Sequence, residues 1–194
     1  MTKILSKLWL QCAIVVTAAH GCVFSAHATE DDKAAWAALK KPGAIVLFRH
    51  ANAPGVGDPA GRALDDCSTQ RNLDEEGRAQ ARRIGERFRA QGINVEAVLS
   101  SQWCRTRDTA QLAFPGFPKD APAFNSFFSD RSNEAAQTAA ARKQLLAWRG
   151  TGVLVVVTHQ VNITALTGSA ATSGEGVVLH RRGRELVVAA KVNP

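Results

Sequence analysis

Two histidines of this 194-residue chain each close an apolar run. Arg49-His50 follows Ile45-Val46-Leu47-Phe48, and Thr158-His159 follows the run Val153 to Val157. A third run, Val95 to Leu99, ends at Ser100-Ser101 and passes into a segment that carries Arg105. If the three runs are parallel neighbours, their polar ends meet at the sheet edge where open α/β folds bind ligands. The rim then holds two histidines and two arginines, with no carboxylate in the same motifs. Such a pocket suits a phosphoryl group, whose transfer depends on positioning and on cations at its equatorial oxygens. Arginine grips phosphate oxygens through its rigid fork. A neutral imidazole can attack phosphorus and hold it covalently, dividing hydrolysis into two easier steps. A second, protonated histidine would add charge.

The elements that must present these residues are legible in outline. Ala44 to Arg49 reads as a first strand, Val95 to Ser100 as a second and Val153 to Thr158 as the central buried strand, being apolar throughout and β-branched. Residues 30 to 41 carry Trp36 and Leu39 at helical spacing. Leu73, Gly77, Ala81, Ile84 and Phe88 mark one face of a longer helix, with Asn72 and Glu75 as its expected capping box. Further helices are expected over 103 to 113, from Glu134 to about Trp148, and from Val161. Ala123 to Phe128 reads as a short strand. Val177 to His180 and Glu185 to Val192 flank a turn at Gly183, as a hairpin does. Between Ala51 and Arg71 runs a Gly/Pro-rich loop of a length that is usually functional. Strand-helix alternation with an antiparallel end predicts a three-layer α/β/α sandwich with a mostly parallel central sheet.

The amino-terminus predicts export. Lys3 and Lys7, an apolar stretch from Leu8 to Phe24 and Ala26-His27-Ala28 make up a signal peptide over residues 1–28, cut after Ala28. Gln11, Thr17, His20 and Gly21 interrupt the apolar run, against a membrane span. A single domain over 29–194 remains, large enough for its own core. The signal contains two lysines and no acid, so cleavage lowers the formal charge from +7 to +5. A basic surface draws anionic ligands. Neither a basic helix nor aromatic-basic interleaving points to nucleic acid. Cys67 and Cys104 are the cysteines left after cleavage, and an oxidising compartment would pair them. Two cysteines are too few for a closed zinc site.

Four blocks in order resemble the histidine phosphatase superfamily, branch 1, the phosphoglycerate-mutase-like group. They are Leu47-Phe48-Arg49-His50, Asn72 to Ala81, Ser100 to Ala110, and Val157-Thr158-His159. The resemblance implies the same sandwich, no cofactor, and a phosphate pocket in which His50 is the nucleophile and Arg49, Arg105 and His159 are the other three members. Arg71 and Asn52 are expected as further phosphate or substrate contacts. Two positions depart from the pattern: Ala51 stands where the family usually has glycine, and Gln160 follows the second histidine. The family's usual general acid, a glutamate after the third strand, is missing, and Asp130 is the nearest carboxylate and the candidate donor.

The expected function is therefore that of an exported, cofactor-independent phosphomonoesterase acting through a phosphohistidine. Its substrate would be a phosphorylated sugar or another small ester. The exported size and the cysteine blocks resemble the periplasmic lipopolysaccharide core heptose-phosphate phosphatase group of Gram-negative bacteria, which implies an envelope-sugar substrate. The alternatives are a non-catalytic binder of phosphorylated ligands and a protein phosphohistidine phosphatase.

Overall fold

Alternation along the first strand decides which layer each side chain enters: Val46 and Phe48 join one buried cluster, Ile45 and Leu47 the other. A strand apolar on both faces must be covered on both. The computed structural model describes residues 30–194, so the signal peptide read at 1–28 lies outside the described residues. The elements run α1 (Glu30–Leu39), β1 (Ile45–Arg49), α2 (Glu75–Ala90), β2 (Val95–Ser100), α3 (Cys104–Ala113), β3 (Pro118–Asp120), α4 (Glu134–Leu146), β4 (Val153–Thr158), α5 (Gln160–Thr167), β5 (Gly176–Arg182) and β6 (Glu185–Val192). Short 3-10 turns lie at Cys67–Thr69 and Pro122–Phe124.

The six strands form one sheet in the order β3-β2-β4-β1-β5-β6. β1, β2, β3 and β4 run parallel to one another, and β5 and β6 are antiparallel additions at one edge. Trp36 and Leu39 of α1, Ile84 and Phe88 of α2, and Ala110 and Ala113 of α3 cover one face. Ala141 and Leu145 of α4 with Ile163 and Leu166 of α5 cover the other. The result is the three-layer α/β/α sandwich expected from the alternation.

Two glycines of α2 bring the helix close to its neighbours. A Cβ at Gly85 would lie 2.0 Å from the Ala113 carbonyl oxygen, and one at Gly77 would lie 1.9 Å from that of Asn52. The second contact seats the segment leaving β1 on the amino-terminal turn of α2.

Two local expectations are corrected. The N-cap of α2 is Asp74, not Asn72: the Asp74 carboxylate accepts from the Gly77 N–H at 2.7 Å, while the Asn72 amide donates to the Cys67 carbonyl at 2.6 Å. Glu75 is then the first helical residue, and its neighbouring acid already occupies the place from which a side chain reaches the free N–H groups. The edge strand is Pro118–Asp120, paired with β2, rather than Ala123 to Phe128. Proline is tolerated there because an edge strand needs no inward donor. Phe124 and Phe127 are buried from an irregular segment, so their apolar character reflects anchoring rather than strand alternation.

Candidate active site

β1 and β4 are paired with Arg49 opposite Thr158, and the His50 N–H donates to the Thr158 carbonyl at 3.0 Å. His50 and His159 therefore leave the sheet as neighbours, with ring centroids 5.6 Å apart. β2 lies on the other side of β4, where the Ser101 N–H donates to the Val157 carbonyl at 3.0 Å. The chain turns there into α3, whose second residue is Arg105. Arg49, His50, Arg71, Arg105 and His159 line one cavity of about 220 Å³.

The tautomer of His50 follows from its partner. Its Nδ1 lies 2.8 Å from the Ala51 carbonyl oxygen, which can only accept. Nδ1 thus carries the hydrogen, and Nε2 keeps an unshared pair. Burial pushes the His50 pKa down to about 3; the Ala51 hydrogen bond opposes this, and the charges of Arg105, Arg71 and Arg49 add to it. His159 is also held well below its ordinary value, first by burial and then by His50 and the same arginines. The shifts favour the neutral imidazole at both positions, against the expectation that His159 adds a positive charge. Its Nε2 lies 2.8 Å from the Ser101 hydroxyl, and the Ser101 hydroxyl donates to Asn125 Oδ1 at 3.3 Å.

These shifts fix the sign of a stability change. Below 6.5 the unfolded chain binds protons at His50 and His159 that the folded chain refuses. The stability they contribute is complete above 6.5 and is lost as pH falls towards the folded values, by up to about 1.4 kcal/mol per pH unit for each histidine. Thermal unfolding midpoints recorded downward from neutral pH should fall accordingly. The His50→Asn variant should show a shallower decline, and an unchanged slope would contradict this account.

The cation cluster is held by a residue that the motifs did not announce. Asp58, in the long loop, accepts from Arg105 Nη1 at 2.7 Å and Nη2 at 3.1 Å, from Trp103 Nε1 at 3.0 Å and from the Arg71 N–H at 3.1 Å. Burial alone would raise its pKa, but the Arg105 hydrogen bonds and charge bring the carboxyl below its ordinary value. Arg71 in turn donates to the carbonyls of Gly57 and Ala53, lacing the loop across the pocket. Arg49 Nη1 donates to the Ala171 carbonyl at 3.2 Å. Arg49 and Arg105 each leave a buried Nε–H without a protein acceptor.

Other expected residues lie elsewhere. Asn52 does not line the cavity: its amide donates to Asp74 Oδ2 at 3.0 Å, and its N–H donates to Gln80 Oε1 at 2.9 Å. It fastens the chain leaving β1 to α2 instead of facing a substrate. Asp130 is exposed, accepts from the Ser132 N–H at 2.9 Å, and lies outside the cavity lining. A short polar turn consumes its carboxylate, so the geometry does not place it to give a proton in the pocket. Ala51 in the family's glycine position is buried without a positive φ, and its N–H donates to Thr109 Oγ1 at 3.0 Å. Alanine fits there without strain. The Cys67 and Cys104 sulfurs lie 2.00 Å apart, which brings the end of the loop to the first residue of α3.

Sequence reasoning missed Asp58, Trp103, Ser126, Val56 and Phe128, all of which line the cavity. Asp58 had one signal, being an acid among glycines and prolines in a loop too long to be a mere connection. Among the described residues, no cluster of histidine, cysteine or acidic side chains could hold a metal ion. No described helix is long and apolar enough to cross a membrane.

The histidine phosphatase superfamily (branch 1) matches the chain over residues 45–121, which contain Arg49, His50 and Arg105. No curated protein matches the sequence. The protein histidine phosphatase SixA complexed with tungstate is similar in structure, with a TM-score of 0.53 and 18% identity, over 78% of this chain and 97% of that one. The mycobacterial glucosyl-3-phosphoglycerate phosphatase is similar with a TM-score of 0.56 and 14% identity, over 78% and 99%. The alpha-ribazole phosphatase from Shigella flexneri gives a TM-score of 0.52 and 16% identity, over 78% and 96%. At these identities the likeness is one of fold. The three structures named are those of phosphatases.

Proposed function

We propose that this chain, built on the histidine phosphatase fold, is a phosphomonoesterase that works through a phosphohistidine at His50. The observation that carries the reading is the His50 tautomer: the Nδ1–H is committed to the Ala51 carbonyl, and the pair on Nε2 is free in a cavity with three arginines. Arg49, Arg105 and Arg71, which line the cavity, neutralise the incoming dianion. In the first step Nε2 bonds to phosphorus while the ester P–O bond breaks and its pair leaves on the alcohol oxygen. In the second, the oxygen of a water bonds to phosphorus, the P–N pair returns to Nε2, and the proton lost by that water balances the departed alkoxide. His159 lies beside the developing charge.

The tungstate complex of SixA and the vanadate (VO3) complex of the mycobacterial phosphatase concern those proteins, but oxyanion binding is what this cavity's charge suits. We take the chain to be exported, with the 1–28 signal removed, and Cys67 and Cys104 bonded in an oxidising periplasm. The bond would close a loop spanning 37 residues beside Arg105. Rapid quenching during turnover of a phosphomonoester tests the mechanism. Acid-labile phosphate should be recovered on the peptide containing His50. Turnover without it would overturn the reading.

A further inference from the structure

The cavity has a cationic floor and a partly apolar mouth. Val56 and Phe128 border it and are 88% and 54% exposed, unusual for side chains of this kind. A Cβ at Gly57 would lie 3.9 Å from Phe128 Cε1, so the strap at 55–57 and Phe128 meet at van der Waals distance and form one apolar rim of the cavity. Trp103 lies deeper, held by its bond to Asp58 and covered by the Arg62 guanidinium 4.9 Å from the ring centroid. A substrate whose phosphate reaches His50 must rest the remainder of the molecule against this mouth.

The second observation concerns the departing oxygen. Asp58 is the one carboxylate among the residues lining the cavity. Its oxygens already accept four N–H donors, from Arg105, Trp103 and Arg71. A carboxylate so occupied is an acceptor and has no proton to give. The segment that follows the third strand contributes Ser126, Phe128 and Ser129 to the cavity wall and no carboxylate. The oxygen must therefore leave largely unprotonated. That is slow for a sugar or other aliphatic alcohol and undemanding for a phenol, whose pKa is about 10.

Resting on the phosphatase reading above, we propose that the substrates are aryl phosphate monoesters, with the aromatic ring against the exposed Val56 and Phe128 and the phosphate on the arginines. Charge and polarity match at both ends: a dianion on the cations, a planar apolar ring on the apolar entrance. Attack by His50 Nε2 breaks the aryl O–P bond, and its electron pair leaves on the phenolate. That oxygen gains from solvent the proton released when water opens the P–N bond. An envelope-sugar phosphate, polar on every side and with a poor leaving group, matches neither end.

The test compares kcat/KM for phenyl phosphate and glycerol phosphate, each with the phosphoenzyme trapped. Phenyl phosphate should be preferred by about 10²-fold or more, the scale of a missing general acid. Because any acid-poor site favours phenols, Phe128→Ser supplies the independent readout. The change should raise KM for phenyl phosphate about three- to tenfold, as loss of a ring contact does. The phenyl-to-glycerol ratio should fall to match. Equal rates on the two esters, a ratio untouched by Phe128→Ser, or cleavage of phosphoramidate without cleavage of phenyl phosphate would each overturn the aryl assignment. Phosphoenzyme formed equally from both esters would do so while leaving the phosphatase reading intact. A chain that forms no phosphoenzyme from any of these compounds would refute both.

Discussion

Alanine at His50 is expected to cut phosphomonoester turnover by about 10⁴-fold or more, as loss of the nucleophile does in other two-step hydrolases. Ser101 is engaged with His159 and Asn125, and the Asp58 oxygens are filled by donors. The arginines remain in the variant, so vanadate should still bind, and the loss should fall on kcat. A rate near that of the unaltered chain would show that the reaction takes another route. Full rate together with vanadate binding would remove the covalent step but keep the anion site.

The second large effect is structural. Arg105 and Asp58 are an ion pair at 2.7 Å with side-chain exposures of 3% and 9%. Asp58→Ala leaves the Arg105 guanidinium buried with the Arg71 carbonyl as its remaining protein acceptor, at 3.3 Å. Trp103 Nε1 and the Arg71 N–H lose their acceptor as well. Breaking one side of a buried pair costs about 3–5 kcal/mol, a large part of a typical domain's stability. Urea unfolding should report a loss of that order. Inorganic phosphate should recover more stability in the variant than in the parent, because an added anion can sit on the fork that Asp58 vacated. If Asp58→Ala unfolds at the same urea concentration as the parent, the carboxylate is not what holds the loop across the pocket.

Why could the meeting of His50, Arg49, His159 and Arg105 at one cavity be read from the chain, and the place of Asp58 beside them not? The first four sit at the ends of apolar runs or on the helix that follows one, and parallel strands bring such ends together by rule. The role of Asp58 exists only through Arg105, 47 residues further on, and through a loop conformation that no periodicity encodes. The same limit explains Asn52 and Asp130. Proximity in sequence to His50, or to the missing glutamate, made them candidates, but local partners claimed both side chains: Asp74 and Gln80 for Asn52, the Ser132 N–H for Asp130. The three layers were legible because Val46 and Phe48 against Ile45 and Leu47 can be satisfied only by covering both sides. The edge strand Pro118–Asp120 was not legible, since its place is set by pairing to β2 and not by its own composition.

The bond from the His50 N–H to the Thr158 carbonyl has a consequence for how this catalyst can change. It makes the gap between the two imidazoles a property of the backbone ladder, whose rungs are about 4.8 Å apart in any sheet. The ruler is read by main-chain atoms, so side-chain drift in the core cannot lengthen it while β1 and β4 stay adjacent. Most of the uncharged cavity wall sits on segments outside that ruler: the 51–71 loop and the 125–129 stretch. Selection, or a designer, can therefore reshape that wall by exchanging those two segments, without altering the spacing of the two imidazoles.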